Sequence, residues 1–283
     1  MAQLLLGRPV AQALGHKIER YVKEWRQLGR IPRLATVRVG QRGDDVAYEQ
    51  SLNKAFAKWG IEVQNCVYPA QIEQLELERR VLQLQNDPSV QGILPFMPLP
   101  EPLQGERLAR ILEPGKDLDG VGFLAQAGLY GQRSQLGWAP CTAQACMELL
   151  DYYQYPLAGK HVLILGRSLV VGKPLAMLML ARNATVTICH SHSTQAAQLA
   201  READILVAAI GRPRAIGESY LAPQQVVLDV GINFDAQGQL CGDVDPQAAQ
   251  IVQAYTPVPG GIGCITNAVL ALHLVEQCGI RNS

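Results

Sequence analysis

The chain has 283 residues, of which 48% are apolar and 18% charged, and its 25 basic residues balance 25 acidic ones. This composition suffices for one large or two ordinary domains and excludes a disordered chain. Balanced charge argues against a nucleic-acid binder, which normally carries a basic excess. Every apolar stretch falls short of the roughly 20 residues that a bilayer span needs, so we expect no membrane association.

The seven cysteines are scattered, odd in number and contain no CxxC pair. This pattern predicts neither a zinc ribbon nor a disulfide framework. The N-terminal segment MAQLLLGRP has an apolar patch without a basic segment or a cleavage site. We therefore expect a cytoplasmic protein.

The first half alternates helical patterns with short β-branched runs, which is typical of α/β architecture. The predicted elements are helices over 11–28, 46–58, 75–84 and 107–112, and strands over 34–39, 62–67 and 92–94. The rigid, proline-rich turn PFMPLPEP follows the third strand, and the loop EPGKDLDG follows the fourth helix.

The second half contains near-continuous apolar runs, which indicate strands buried on both faces of a parallel sheet. The predicted elements are strands over 161–165, 185–189, 205–209 and 226–230, and helices over 142–153, from the glycine turn through 182, and over 266–277. A boundary near Ala139 and Pro140 separates the halves, and we expect the last helix to return to the first domain.

HVLILGRSLVVGKP combines a strand, a glycine turn and a helix start, the arrangement that presents backbone N–H groups to a diphosphate. Gly166 and Gly172 are six residues apart, so the turn is not G-x-G-x-x-G. A glycine turn alone is a weak signal because many such turns need glycine only for a positive φ. The flanking strand and helix nevertheless favour nucleotide binding.

The end of the next strand indicates which nucleotide is bound. NAD sites usually place an acid there to accept from the ribose 2′-hydroxyl, but Cys189 to Ser193 reads CHSHS and contains none. An uncharged strand end facing Arg167 suits a 2′-phosphate and predicts NADP, although Arg167 could also be a solvated loop residue. His190 and His192 suggest a metal pair, but no third ligand is evident, and we predict no metal site.

Several stretches match the motifs of one known family: GRSLVVGKP, TVTICHS, DVGIN, GDV and TPVPGGIG, with GILPFMPLP and KDLDG in the first half. From about Gly7 to Cys278 the chain resembles the methylenetetrahydrofolate dehydrogenase/methenyltetrahydrofolate cyclohydrolase family. The resemblance implies two domains around a cleft, usually in a homodimer. These are a discontinuous α/β folate-binding domain (1–139 plus 264–283) and a Rossmann-like NADP-binding domain (140–263).

The family's activity, as the resemblance implies it, is oxidation of 5,10-methylenetetrahydrofolate with NADP and hydrolysis of the methenyl product to 10-formyltetrahydrofolate. By motif, Gly166, Arg167 and Ser168 would contact the cofactor phosphates. Arg167 and Ser191 would meet the 2′-phosphate, and Ile232 the nicotinamide side.

On the folate side, the resemblance implies that Tyr48 stacks on the substrate and that Asp119 accepts from the pterin N–H groups. It makes both of them candidate catalytic residues. The implied substrate-binding set is completed by Phe96, Pro259, Gly260, Gly261 and Gly263. Tyr48 could instead be a packing residue, and Asp119 a turn former.

The chain departs from the family pattern on the folate side. The family lysine, four residues after the tyrosine, is Leu52 here, and the family glutamine is Phe96. Lys54 lies two positions after Leu52, about 200° further around a helix. Asp45 replaces a serine and Cys264 a proline. In the family the lysine, held by glutamine and tyrosine, activates water, whereas leucine and phenylalanine neither donate nor accept hydrogen bonds.

Three hypotheses follow. The chain is an NADP-dependent dehydrogenase with weak or absent cyclohydrolase activity, which we favour. Alternatively, Lys54 or another group restores the full bifunctional activity. Finally, the chain is a catalytically silent NADP-binding partner protein, or it oxidises another small substrate.

Overall fold

The computed structural model describes residues 2–280. Its helices are α1 Gly7–Gln27, α2 Gly43–Trp59, α3 Gln74–Asn86, α4 Gly105–Ile111, α5 Phe123–Tyr130, α6 Cys141–Tyr152, α7 Gly172–Ala181, α8 Ala196–Arg201 and α9 Thr266–Ile280. Its strands are β1 Gln3–Leu4, β2 Arg33–Val39, β3 Glu62–Tyr68, β4 Gly92–Pro95, β5 His161–Leu165, β6 Thr185–Cys189, β7 Ile205–Ala208, β8 Val226–Asp229, β9 Asn233–Phe234, β10 Leu240–Cys241 and β11 Ala254–Tyr255.

The chain divides into two compact units. The first unit comprises Ala13–Cys141 and Asn267–Ser283, and the second comprises Met1–Gln12 and Thr142–Thr266. The predicted domains place residues 1–12 with the first half. In the structure they group with the second unit because β1 pairs in parallel with β11, a contact between strands about 250 residues apart in sequence that no local pattern signals.

The first unit contains a parallel sheet with strand order β3-β2-β4. The central strand β2 is buried along almost its whole length, in keeping with its apolar run. Helices α3 and α4 cover the sheet with buried side chains that include Leu77, Val81 and Leu108. Helix α2 ends at Trp59, and the next residue, Gly60, has a φ of +73°, the left-handed conformation common after a helix.

The second unit contains a six-stranded sheet in the order β1-β11-β8-β7-β5-β6. All neighbouring strands in it pair in parallel. Strands β5, β7 and β8 are almost entirely buried, as their continuous apolar runs predict. The chain order reverses direction at β5, which lies between β6 and β7; such a switch point is where α/β sheets bind ligands.

Every predicted element is present, and strands β5 and β6 have the predicted bounds. Helix α1 starts at Gly7, earlier than predicted, because Pro9 is tolerated in a first turn whose N–H groups lack helical partners. Helices α5 and α8 and the short strands β1, β9, β10 and β11 were not predicted. Two-residue strands show no periodicity, so only their pairing partners define them.

A buried ion pair joins β2 to α2. The Arg38 Nη2 atom lies 3.0 Å from Oε2 of Glu49, and both side chains are 9% exposed. The Thr36 hydroxyl donates to the other carboxylate oxygen of Glu49 at 3.2 Å. Removal of one partner from such a pair leaves an uncompensated buried charge.

We predict that Glu49→Gln lowers the free energy of unfolding of the first unit by about 3–5 kcal/mol. Urea denaturation followed by circular dichroism measures this loss. The control is Asp151→Asn, which breaks the exposed Asp151–Arg182 pair and should cost at most about 1 kcal/mol. Equal losses in the two variants would contradict the prediction.

Candidate functional site

The carboxyl ends of the parallel strands in the second unit gather the predicted cofactor residues at one edge. Gly166, Arg167 and Ser168 directly follow β5, and Ser191 follows β6. Leu165 pairs with Cys189 in the register of these strands. Arg167 and Ser191 therefore each lie two residues past a paired position, on neighbouring strands.

The glycine turn after β5 is closely packed. Gly166 has a φ of +121°, and a Cβ atom at that position would clash with the carbonyl oxygen of Ala209. A Cβ atom on Gly172 would clash with the carbonyl of Gly166. Both glycines are thus required for the backbone approach, and the ten-residue helix α7 begins with its N–H groups at the turn.

The side chains of this turn and of the segment after β6 are accessible. Arg167, Ser168 and Ser191 are all exposed. The backbone N–H of His190 donates to Ser193 Oγ at 3.0 Å, and that of His192 donates to His190 Nδ1 at 3.2 Å. These bonds make a tight turn at the strand end and leave Arg167 and Ser191 available to an anion.

Across residues 2–280 the structure contains no cluster of three or more His, Cys, Asp or Glu side chains able to hold a metal ion. Over the same residues, no helix combines the length and the apolar character that crossing a bilayer requires.

Two buried carboxylates behind this edge were not identified from sequence as functional. Asp229, the last residue of β8, accepts N–H bonds from Gly231, Asp243 and Val244 at 2.9–3.0 Å. Desolvation raises its pKa to about 6. Asp243 accepts three consecutive N–H bonds from residues 210–212. Their motifs DVGIN and GDV were noted only as marks of the family.

The loop with Pro259, Gly260, Gly261 and Gly263 follows β11 at the same edge of the sheet. Gly260 has a φ of +114°, and its carbonyl accepts the N–H of Gly7 at 2.8 Å. A Cβ atom on Gly7 would clash with the carbonyl of Gly261. The N-terminal segment therefore holds the inner side of this loop, while Pro259 and Gly263 are exposed.

In the first unit, α2 and the segment after β4 bring Tyr48 and Phe96 together. Their ring centroids are 5.3 Å apart at an interplanar angle of 52°. Tyr48 is 38% exposed, whereas Phe96 is 6% exposed, so Phe96 packs against the buried side of the tyrosine ring. Desolvation, and next the nearby charge of Asp119, raise the pKa of the Tyr48 phenol well above its usual range, which keeps it a hydrogen-bond donor.

Leu52 lies one helical turn after Tyr48 and is completely buried. Lys54, on the same helix, is exposed. The structure thus confirms the rotation predicted between these two residues, because one side chain faces the core and the other faces solvent. No amine occupies the position one turn after the tyrosine.

The Asp119 carboxylate binds the backbone at Cys141, the first residue of α6. Its Oδ1 atom accepts the backbone N–H of Cys141 at 2.8 Å. Desolvation raises the pKa of the Asp119 carboxyl and raises that of the Cys141 thiol well above its usual range. The thiol is therefore a packed, protonated group.

His273 on α9 holds the backbone beside Asp119. Its Nδ1 lies 2.9 Å from the carbonyl oxygen of Leu118; because a carbonyl only accepts, Nδ1 carries the proton. The ring stacks on Trp138 with centroids 4.4 Å apart. Burial lowers the pKa of His273 to about 4. Neither residue was expected to support Asp119, because their contacts join distant parts of the chain.

Comparison with known proteins shows similarity over almost the whole chain. The family model described as the catalytic domain of tetrahydrofolate dehydrogenase/cyclohydrolase matches residues 5–119. The model of the NAD(P)-binding domain of the same family matches residues 140–281. The bifunctional protein FolD of Carboxydothermus hydrogenoformans is 44% identical over 285 residues, covering 100% of this chain and 99% of that protein.

Solved structures of the same family are similar to this chain as well. The bifunctional enzyme FolD from Campylobacter jejuni is 30% identical with a TM-score of 0.96, covering 99% of this chain and 100% of that one. The Trypanosoma brucei N5,N10-methylenetetrahydrofolate dehydrogenase-cyclohydrolase, solved with NADP cofactor and an inhibitor, is 32% identical with a TM-score of 0.92. It covers 100% of this chain and 99% of that one.

The lowered pKa of His273 predicts a loss of stability in acid. The unfolded chain takes up a proton near pH 6.5 that the folded chain does not bind until about pH 4. Stability that is complete above pH 6.5 is therefore lost as the pH falls toward 4, on the order of 3 kcal/mol. In His273→Gln the melting temperature should fall less steeply between pH 7 and 4.5 than in the wild type.

The matched control is His192→Gln, which replaces an exposed histidine and should keep the wild-type slope. If His273→Gln and the wild type gave the same slope, His273 would not be the group responsible.

Proposed function

The chain belongs to the tetrahydrofolate dehydrogenase/cyclohydrolase family, as its motifs predict, and we propose that it is an NADP-dependent methylenetetrahydrofolate dehydrogenase with weak or absent cyclohydrolase activity. In the dehydrogenase step a C–H bond of the methylene carbon between N5 and N10 breaks. Its electron pair leaves as hydride to C4 of the nicotinamide, giving NADPH and the methenyl cation. This step releases no proton to the protein, so it depends chiefly on positioning of the two molecules.

The observation that carries the proposal is the apolar environment beside Tyr48. Leu52 is completely buried and Phe96 nearly so, with its ring against Tyr48. Hydrolysis of the methenyl cation needs a group that takes a proton from water, and neither side chain can do so. Loss of a positioned acid–base group typically costs about 10²–10⁴-fold in rate.

The other polar groups nearby do not replace the missing amine. Lys54 is exposed on another side of α2. The raised pKa of Tyr48 keeps the phenol protonated, so it can donate to a ligand but not act as a base at neutral pH. Asp119 has one oxygen bound to the Cys141 N–H. We assign its other oxygen to the pterin N–H groups, and Tyr48 to stacking on the substrate.

NADP is the cofactor of this dehydrogenase, and the carboxyl edge of the large sheet supports its placement there. We assign the diphosphate to the turn formed by Gly166, Arg167 and Ser168, where α7 begins. Arg167 and Ser191, at matching positions on neighbouring strands, receive the 2′-phosphate. Ile232 meets the nicotinamide, and the loop from Pro259 to Gly263 meets the folate.

We further propose that the protein is a cytoplasmic homodimer, as the family resemblance implies. Six cysteines form no disulfide, namely Cys66, Cys141, Cys146, Cys189, Cys241 and Cys264, which suits a reducing compartment. Light scattering of the purified protein tests the dimer.

The full bifunctional enzyme and a silent or differently specific NADP-binding protein remain the alternatives, and product analysis separates them.

We predict that the protein, mixed with 5,10-methylenetetrahydrofolate and NADP, forms NADPH and accumulates the methenyl product. The methenyl absorbance should then decay no faster than without protein, because no general base is positioned. Rapid conversion to 10-formyltetrahydrofolate would support the bifunctional alternative. Absence of NADPH would favour another substrate or a silent protein.

The double variant Leu52→Lys with Phe96→Gln is expected to accelerate methenyl hydrolysis by at least about tenfold, a partial recovery of the roughly 10²–10⁴-fold that a positioned acid–base group supplies. Leu52→Met is the matched control, because it keeps the apolar volume and should leave hydrolysis at the uncatalysed rate. No acceleration in a folded double variant would show that these two positions do not account for the missing step.

We predict that Arg167→Gln raises the KM for NADP by about 10–100-fold while changing the KM for NAD less than twofold, because one charged hydrogen bond to the 2′-phosphate is lost. Steady-state kinetics with both cofactors measures the split. The control Arg182→Gln removes an arginine that pairs with Asp151 and should change neither KM. Equal effects of Arg167→Gln on both cofactors would contradict its assignment to the 2′-phosphate.

A further inference from the structure

Asp229 and Asp243 interlock behind the carboxyl edge of the six-stranded sheet. Asp229 Oδ1 accepts the N–H groups of Gly231 and Asp243, each at 3.0 Å, and its Oδ2 accepts that of Val244 at 2.9 Å. This carboxylate therefore ties the end of β8 to the segment after β10.

Asp243, completely buried, ties that segment to two further loops. Its Oδ2 accepts the N–H groups of Ile210 at 2.6 Å and Gly211 at 3.2 Å, and its Oδ1 that of Arg212 at 2.8 Å. Oδ1 also accepts the Asn233 side-chain amide at 2.9 Å. The loops after β7 and β8 thus share one carboxylate.

The glycines of the two motifs make this close approach possible. A Cβ atom on Gly242 would clash with the Asp229 carboxylate, and one on Gly231 would clash with Asp243. Each aspartate thus lies against the glycine that accompanies the other. The spacing of DVGIN and GDV is explained by this reciprocal packing.

The consequence of this packing is clearest at Ile232. Its side chain is 69% exposed and is therefore accessible to a ligand. Yet its two chain neighbours are both fixed, Gly231 by Asp229 and Asn233 by Asp243. Ile232 is consequently an exposed apolar side chain on a rigidly held backbone.

We propose that Asp243, together with Asp229, is a positioning residue for hydride transfer. The two carboxylates set Ile232 and the loop 209–212 against the nicotinamide half of NADP. This inference rests on the proposed function and deepens it. The loop 209–212 also reaches the glycine turn, since Ala209 packs on Gly166. One buried carboxylate thereby sets the relative positions of three loops at the cofactor edge.

A carboxylate is required at position 243 because all four groups that it binds are donors. An asparagine would turn its own N–H₂ group toward two of them in either orientation. Asp243→Asn therefore breaks at least two bonds at nearly constant volume. Asn233→Ala is a milder variant that removes only the bond nearest Ile232 and keeps the test valid if Asp243→Asn does not fold.

The experiment compares these variants with Asp204→Asn. Asp204 also accepts a backbone N–H, from His161 at 2.9 Å, but at the opposite, amino edge of the same sheet. We measure kcat, the KM for both substrates, the melting temperature, and the affinities for NADPH and for adenosine 2′,5′-bisphosphate, which lacks the nicotinamide half.

We expect Asp243→Asn to lower kcat by about 10²-fold, since a displacement near 1 Å can have that effect, and Asn233→Ala by about tenfold. Both variants should bind NADPH more weakly than the wild type does. Asn233→Ala should bind adenosine 2′,5′-bisphosphate as tightly as the wild type does. Asp204→Asn should lower only the melting temperature.

If Asn233→Ala keeps wild-type kcat and NADPH affinity, the positioning role is overturned. Equal weakening of NADPH and adenosine 2′,5′-bisphosphate by Asn233→Ala would also overturn it, because a general loss of structure would then suffice. A wild type without dehydrogenase activity contradicts the proposed function instead, and the two binding measurements still decide the role of the carboxylate.

Discussion

Parallel pairing of strands is the constraint on which the cofactor edge depends. Because every neighbouring pair in the six-stranded sheet is parallel, the segments that follow β5, β6, β7, β8 and β11 all emerge at one edge. Residues far apart in the chain, such as Arg167 after β5 and Pro259 after β11, are thereby brought to the same edge of the sheet. An antiparallel strand in the middle would send its following loop to the other edge.

Buried carboxylates that bind backbone N–H groups complete this arrangement. Asp229 and Asp243 serve the second unit, and Asp117 plays a similar part in the first by accepting from Val121 and Gly122. Desolvation raises the pKa of Asp117 to about 6, as it does that of Asp229. The N–H bonds offset the cost of burying each acid and hold irregular loops that have no sheet or helix partners.

The two halves of the family pattern have diverged unequally in this chain. The cofactor motifs are intact, whereas the positions of the family lysine and glutamine carry Leu52 and Phe96. A buried lysine without its polar partner would be strongly penalised, so replacement of both positions by apolar residues is physically coherent. The result keeps the ring of Tyr48 packed against Phe96, as the dehydrogenase without cyclohydrolase activity that we propose requires.

The sequence by itself determined the family, the α/β class, the main strands and the residues at the strand ends, because continuous apolar runs and glycine turns are local signals. It also showed that Leu52 and Lys54 point to different sides of α2. Only the tertiary structure decided that the strand Gln3–Leu4 joins the large sheet, that His273 and Trp138 support the backbone beside Asp119, and that Asp229 and Asp243 interlock. These contacts join residues far apart in the chain, and a hydrogen bond between distant groups leaves no periodic trace in sequence.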